Sequence, residues 1–211
     1  MIKNTNQLIK NGATPADQKR RRDILLCLEA GLKAVEPYRL VKQHVILRGD
    51  MLTIKGAGIF DLKKFNNIYV VGAGKAVCAM ANAVEDILGD RITAGAVNFP
   101  EMSGGCPKRI RFFHASHPIP GAIGLQGAKA IEKTAERANK NDLVLGIFSG
   151  GGSALMPLPA DGITLAQKMK TTKLLLKTPA TAHELNIVRK HLSKIKGGQL
   201  ACYAYPATVV A

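Results

Sequence analysis

Residues 68–89 read IYVVGAGKAVCAMANAVEDILG. The stretch opens on an apolar, β-branched run at 68–71, turns at Gly72 and Gly74, and continues as an Ala-rich segment to Leu88. A short apolar run, a glycine turn and a series of helix formers predict a strand, a tight turn and a helix. The run lacks polar alternation, as expected of a strand covered on both faces of a parallel sheet.

The same grammar continues downstream. Residues 92–98, 109–114 and 143–148 are candidate strands, 121–139 a candidate helix, and 207–210 the start of another apolar β run. Strands alternating with helices predict an α/β fold: a Rossmann-like, doubly wound, mostly parallel sheet with helices on both faces. Ligands of such sheets gather beyond the carboxyl ends of the strands, where both glycine-rich turns fall.

Before this region, Thr14-Pro15 with Asp17 starts a helix running to about Pro37, with Leu25, Leu28, Leu32 and Val35 as its apolar stripe. HVILRGDMLTIK, residues 44–55, reads as a hairpin or flap around Gly49-Asp50. After it, 165–176 is a helix, and Thr181 with Glu184 forms a capping box opening a further helix to about Ile195. No internal repeat or low-complexity tract is present.

The 211 residues are 46% hydrophobic, enough for one sizeable core, or for one large and one incomplete lobe. The formal charge of +15 favours phosphorylated or otherwise anionic partners. Trp is absent and aromatics make up only 5%, so a single-strand nucleic-acid platform lacks its stacking material, and no nucleic-acid partner is expected. Cys27, Cys78, Cys106 and Cys202 are scattered without a CxxC pair, which predicts reduced thiols and no zinc site. The polar start, MIKNTNQLIKNG, is no signal peptide and no run reaches membrane-span length, so a cytoplasmic protein without membrane contact is expected.

VGAGKA, residues 71–76, departs from both common nucleotide motifs. Val77 replaces the third glycine of a dinucleotide fingerprint, while Tyr69 and Ala76 break a P-loop. What remains is a turn allowing close backbone approach at Gly72 and Gly74, with Lys75 at a helix start near developing negative charge; the alternative is a packing turn with a solvated lysine. Ser149, Gly150, Gly151, Gly152 and Ser153 follow a buried strand and offer successive N–H groups to an anion, or else form a flexible connector. Ile147 and Leu155 break the nucleophile-elbow pattern around the two serines.

In the helix after Thr181, Leu185, Val188, Leu192 and Ile195 fall on one face and Asn186, Arg189, Lys190 and Ser193 on another, with Lys196 following. The polar face reads as a holder of anionic substrate, Arg189 foremost, or as a solvated basic surface. His114 and His117 sit in the proline-rich HASHPIPG, a loop without an acidic third ligand nearby; this argues against a metal and for His117 as a pocket-lining residue.

Together, VGAGKA, HASHPIPG, DLVLGIFSGGGSALMPLP and HELNIVRKHLSKIKGGQLA resemble the type II, MOFRL-associated glycerate kinases, from about Gln18 to Ala211. The resemblance implies ATP-dependent phosphorylation of D-glycerate, usually at the 2-hydroxyl, by a large Rossmann-like domain facing a second α/β domain across a cleft. It places the family's lysine on Lys75, its serine–glycine segment on 149–153, and its Asn, Arg, Lys and Lys on Asn186, Arg189, Lys190 and Lys196. ATP and Mg²⁺ are the implied cofactors, the Mg²⁺ ligands being unidentifiable in this stretch. Family members are about twice as long, so 1–211 is expected to be the N-terminal domain, ending before the second domain, with activity of this part alone left open. The alternatives are a hydroxypyruvate reductase and a non-catalytic phosphate- or nucleotide-binding module. A homodimer is suggested only by how common two-fold oligomers are.

Overall fold

The computed structural model describes residues 2–101, 105 and 107–211. Cys106 lies outside the described residues. The chain begins with helices α1 (Thr5–Lys10), α2 (Pro15–Ala34) and α3 (Pro37–His44), and an antiparallel meander of β1 (Val45–Arg48), β2 (Met51–Ile54) and β3 (Gly58–Asp61). There follow β4 (Asn67–Ala73), α4 (Val77–Leu88), β5 (Ala94–Phe99), β6 (Ile110–His114), α5 (Ala122–Glu136) and β7 (Asp142–Phe148). The last elements are α6 (Gly152–Leu155), α7 (Leu165–Leu175), α8 (Ala182–His191), α9 (Gln199–Ala204) and β8 (Thr208–Val210).

Five strands form a wholly parallel sheet in the order β6-β5-β4-β7-β8. The chain starts at the centre with β4, winds outward through β5 and β6, then returns to the other side of β4 as β7. The strand order therefore reverses between β4 and β7, the switch point at which doubly wound sheets open a crevice. Alternate residues of β4 serve opposite layers. Ile68 and Val70 pack with α3, α4 and the meander, while Tyr69, Val71 and Ala73 pack with α5, α6 and α9. Helices thus cover both faces, as the unbroken apolar strands require.

The hairpin forms with Arg48 opposite Met51, leaving Gly49-Asp50 as its two-residue turn and Gly49 at φ +59°. The third strand, β3, pairs with β2; its Gly58 and Ile59 are exposed, while Phe60 packs against the core.

Thr14 caps α2 as its sequence suggests, its hydroxyl accepting from Asp17 N–H at 3.1 Å. The predicted stripe is not a core face, however. Leu25 is buried, while Leu28, Leu32 and Val35 are all more than half exposed, because no element of the described chain packs over them.

Helix α8 stops at His191, before the predicted end near Ile195, because the following backbone is claimed by the segment after α6. Ala160 N–H donates to Leu192 O, Lys194 N–H donates to Leu158 O, and Pro159 bridges Ser193. The predicted apolar face of α8 is also not a core face: none of its residues is buried, and Ile195 is buried only after the helix has ended. The short helix α9, absent from the sequence reading, starts after Gly198 at φ +90°.

Candidate functional site at the switch point

The glycine loops after β4 and β7 meet each other across the switch point. Lys75 N–H donates to Gly150 O at 2.9 Å, Ala76 N–H to Ser149 Oγ at 3.0 Å, and Ser149 N–H to Ala73 O at 3.2 Å. Ser149 therefore supplies the N-terminal cap that α4 lacks in its own sequence, where Ala76 stands at the cap position. This contact is why Gly74 is glycine: a Cβ there would lie 2.0 Å from Ser149 Oγ and 2.7 Å from Ser149 N. Gly72 is buried in the sheet, where a Cβ would strike Ile147 O at 2.1 Å; it sets the spacing of β4 and β7 and does not reach the cleft.

With its hydroxyl turned to α4, Ser149 is a structural member of the loop. The N–H groups of Gly150, Gly151, Gly152 and Ser153 have no protein acceptor among the described residues. Gly151, at φ +95°, faces the centre of the site: a Cβ on it would sit 3.3 Å from His117 Nε2 and 3.3 Å from Lys75 Cγ. The fold thus brings together three residues widely separated in sequence. Lys75 is exposed, and its ammonium makes no ion pair among the described residues.

Beside them opens a cleft of ≈ 610 Å³ lined by Lys75, Pro100, Glu101, His114, Ala115, Ser116, His117 and Ile123. His114 is held, its Nε2 2.7 Å from Pro100 O and its ring stacked on Phe99. Glu101 brings a carboxylate into the same cleft, which the loop sequence around His117 did not reveal. No group of three His, Cys, Asp or Glu side chains capable of holding a metal occurs among the described residues. A further cleft of ≈ 430 Å³, with Arg111, Lys129, Lys133 and Arg137 at its rim, includes Ala94 and Gly95 at the amino end of β5, away from both glycine loops.

On the far side of the β7 loop lies a narrower pocket lined by Pro118, Pro120, Ser153, Ala154, Lys168, Met169, Thr172, Arg189 and Lys196. Its three cations come from α7, α8 and the turn after α8. Lys168 Nζ donates to Leu158 O at 3.0 Å, and Lys196 Nζ donates to Met156 O. Burial, with the positive charge of Arg189 second, lowers the Lys168 ammonium to about 8. Burial, then Lys168 and Arg189, lower Lys196 to about 7. Arg189 turns toward this pocket, whereas Asn186 and Lys190 are exposed and line neither cavity. The predicted polar face of α8 thus divides: Arg189 falls about 60° to one side of Asn186 around the helix and Lys190 about 40° to the other, and only the Arg189 side meets the pocket.

Two residues of this region escaped the sequence reading. Lys168 sits mid-helix among other lysines and only its burial marks it. Asn98, at the end of β5, is fully buried, and its Nδ2 donates to Gly124 O at 2.8 Å and Leu155 O at 2.5 Å. It ties the carboxyl edge of the sheet to α5 and to the end of α6, positioning the serine–glycine loop from behind. Its Oδ1 is buried without a hydrogen-bond partner, against the glycine face of Gly127.

Residues 23–211 match the family described as "Domain of unknown function (DUF4147)". The chain belongs to the DUF4147 family. This domain is the N-terminal domain of type II glycerate kinases. A relative named glycerate 2-kinase, from Pyrococcus horikoshii, is 44% identical over 81% of this chain, and a putative hydroxypyruvate reductase from Agrobacterium vitis is 44% identical over 67% of it. The chain spans 38% and 37% of the lengths of these two relatives. The crystal structure of a protein from Pyrococcus horikoshii OT3 superposes with a TM-score of 0.79 at 42% identity, over 89% of this chain and 42% of that one. Among the described residues, no helix is long and apolar enough to cross a membrane.

Proposed function

We propose that this DUF4147 chain is the N-terminal lobe of an ATP-dependent kinase that phosphorylates D-glycerate at its 2-hydroxyl. The observation that carries the reading is the convergence, around one serine–glycine loop at the switch point, of Lys75 and His117 on one side and of Lys168, Arg189 and Lys196 on the other. Phosphoryl transfer asks a protein for positioning and for neutralisation of charge on the transferring oxygens, with little covalent chemistry. In this reading Lys75 neutralises the phosphoryl group. The free N–H groups from Gly150 to Ser153 donate to its oxygens or to those of the acceptor, and Arg189 with Lys196 hold anionic oxygen.

ATP chemistry ordinarily involves Mg²⁺, and among the described residues no carboxylate cluster is present that would hold it. Glu101 is the only carboxylate among the described residues lining the cleft, and no three-ligand cluster accompanies it. A cytoplasmic location and a homodimer belong to the same reading, the latter supported by the exposed stripe on α2.

The hydroxypyruvate reductase alternative is favoured by one relative's name. It needs helix-terminal amides for a dinucleotide pyrophosphate, and those of Lys75 and Ala76 are already bonded to Gly150 O and Ser149 Oγ. The test is thermal stabilisation of the chain by ATP and by D-glycerate, followed by glycerate-dependent ADP release from MgATP. Both ligands are expected to stabilise the wild type, and Lys75→Ala to lose the ATP shift and any turnover. A chain indifferent to both ligands, or stabilised by NADH instead, overturns the reading.

A further inference from the structure

The pocket between α7, α8 and α6 holds positive charge without compensation. Its lining contains Lys168, Arg189 and Lys196 and no carboxylate. None of the three makes an ion pair among the described residues, although Lys194, two positions from Lys196, pairs with both Glu132 and Asp161. Lys168 is only 7% exposed. Burying like charges together without a counter-ion costs free energy, and apolar residues of the same volume in their place ordinarily stabilise a protein. The carbonyl partner of Lys168 does not explain its burial: Leu158 O, which accepts from Lys168, also accepts from Ser193 Oγ at 3.1 Å and would stay bonded without the lysine. The cluster makes sense physically as one half of an ion pair whose other half is a ligand.

The space is small, ≈ 30 Å³ against ≈ 610 Å³ for the cleft on the Lys75 side of the loop. It has room for one compact anionic group, while the cleft has room for a nucleotide's polyphosphate. Pro118, Pro120 and Met169 wall it with apolar surface that excludes competing water, and Ser153, whose N–H has no protein acceptor among the described residues, borders it. We infer that this pocket receives the carboxylate of the small organic acid that the protein acts on, and that Lys168, with Arg189 and Lys196, is a substrate-binding residue. The identity of that acid as glycerate rests on the kinase reading; the carboxylate pocket does not. The depressed Lys168 and Lys196 ammonium groups fit this use, because an arriving anion restores their charge.

The test compares the wild-type chain with Lys168→Met and Arg189→Met in thermal shift and calorimetric titration, using D-glycerate, glycerol, malonate, inorganic phosphate and ATP as separate probes. Lys168→Met, which replaces a buried cation by an apolar chain of similar length, is expected to melt higher than wild type without ligand. It should bind D-glycerate at least tenfold more weakly and keep its ATP shift, and glycerol, lacking the carboxylate, should discriminate none of the proteins. If glycerate and ATP leave the wild type unmoved but malonate stabilises it and not Lys168→Met, the pocket stands and the kinase reading falls. The inference is overturned if Lys168→Met binds glycerate and malonate like wild type, or if it loses ATP or phosphate binding instead, which would assign the cations to the nucleotide. It is also overturned if both variants melt lower and bind every probe unchanged, the behaviour of a structural tie.

Discussion

Ser149 is the residue on which a ligand-binding and a structural account of the serine–glycine loop differ most. Replacing it by Ala removes the hydroxyl that caps α4 through Ala76 N–H, at 3.0 Å across the switch point. Loss of such a cap ordinarily costs about 0.5–2 kcal/mol, and the part-buried N–H left behind places this site toward the upper half of that range, about 1–2 kcal/mol. For a domain of this size that is a fall in Tm of about 2–8 °C. Urea unfolding followed by circular dichroism measures it, with an unchanged m value as the sign that the native state is otherwise intact. Ser153→Ala is the comparison, since no hydrogen bond engages the Ser153 hydroxyl among the described residues. It should alter stability by less than about 0.5 kcal/mol, as for a change that breaks no structural contact. A Ser149→Ala protein as stable as wild type but weaker in ligand binding would refute the reasoning, because the hydroxyl would then belong to the ligand and not to α4. The geometry also predicts coupling. A Cβ at Gly74 meets the Ser149 hydroxyl at 2.0 Å, so Gly74→Ala should be less damaging in the Ser149→Ala background by more than about 0.5 kcal/mol, the usual size of non-additivity between touching residues.

Gly127→Ala should be severe. Its Cβ would lie 1.8 Å from Asn98 Oδ1 and 2.7 Å from Phe113 Cβ, so α5 must move off the sheet, and overpacking of this kind costs about 1–3 kcal/mol or more, read as a lower urea midpoint. The lysine pocket gives the protein a pH signature. Lys168 and Lys196 titrate near 8 and 7 in the folded chain but near 10.5 when unfolded, so between these values the unfolded state binds more protons and stability rises with pH. Tm should therefore climb from pH 6 to pH 9, and the climb should flatten in the Lys168→Met, Lys196→Met double variant; an identical slope in both proteins would remove the pocket as its source.

What the sequence by itself determined is the local grammar. Unbroken apolar runs at β4 and β7, each ending in glycines, specify strands buried on both faces with tight turns at their carboxyl ends, because burial period and turn chemistry are written within a few residues. The same holds for the Thr14 cap, the Gly49-Asp50 turn and the capping box at Thr181. Which of the basic residues face a ligand depended on pairings between distant segments. Ser149 caps a helix 73 residues earlier in the chain, Asn98 reaches Leu155 across 57 residues, and Lys168 is buried only because the segment around Leu158 folds over it. The end of α8 was decided in the same way, since backbone hydrogen bonds to residues 158–160 drew residues 192–194 out of the helix that their periodicity favoured. Propensity and period set what a segment prefers alone; burial, charge and capping are properties of contacts, and contacts exist only once the sheet has closed.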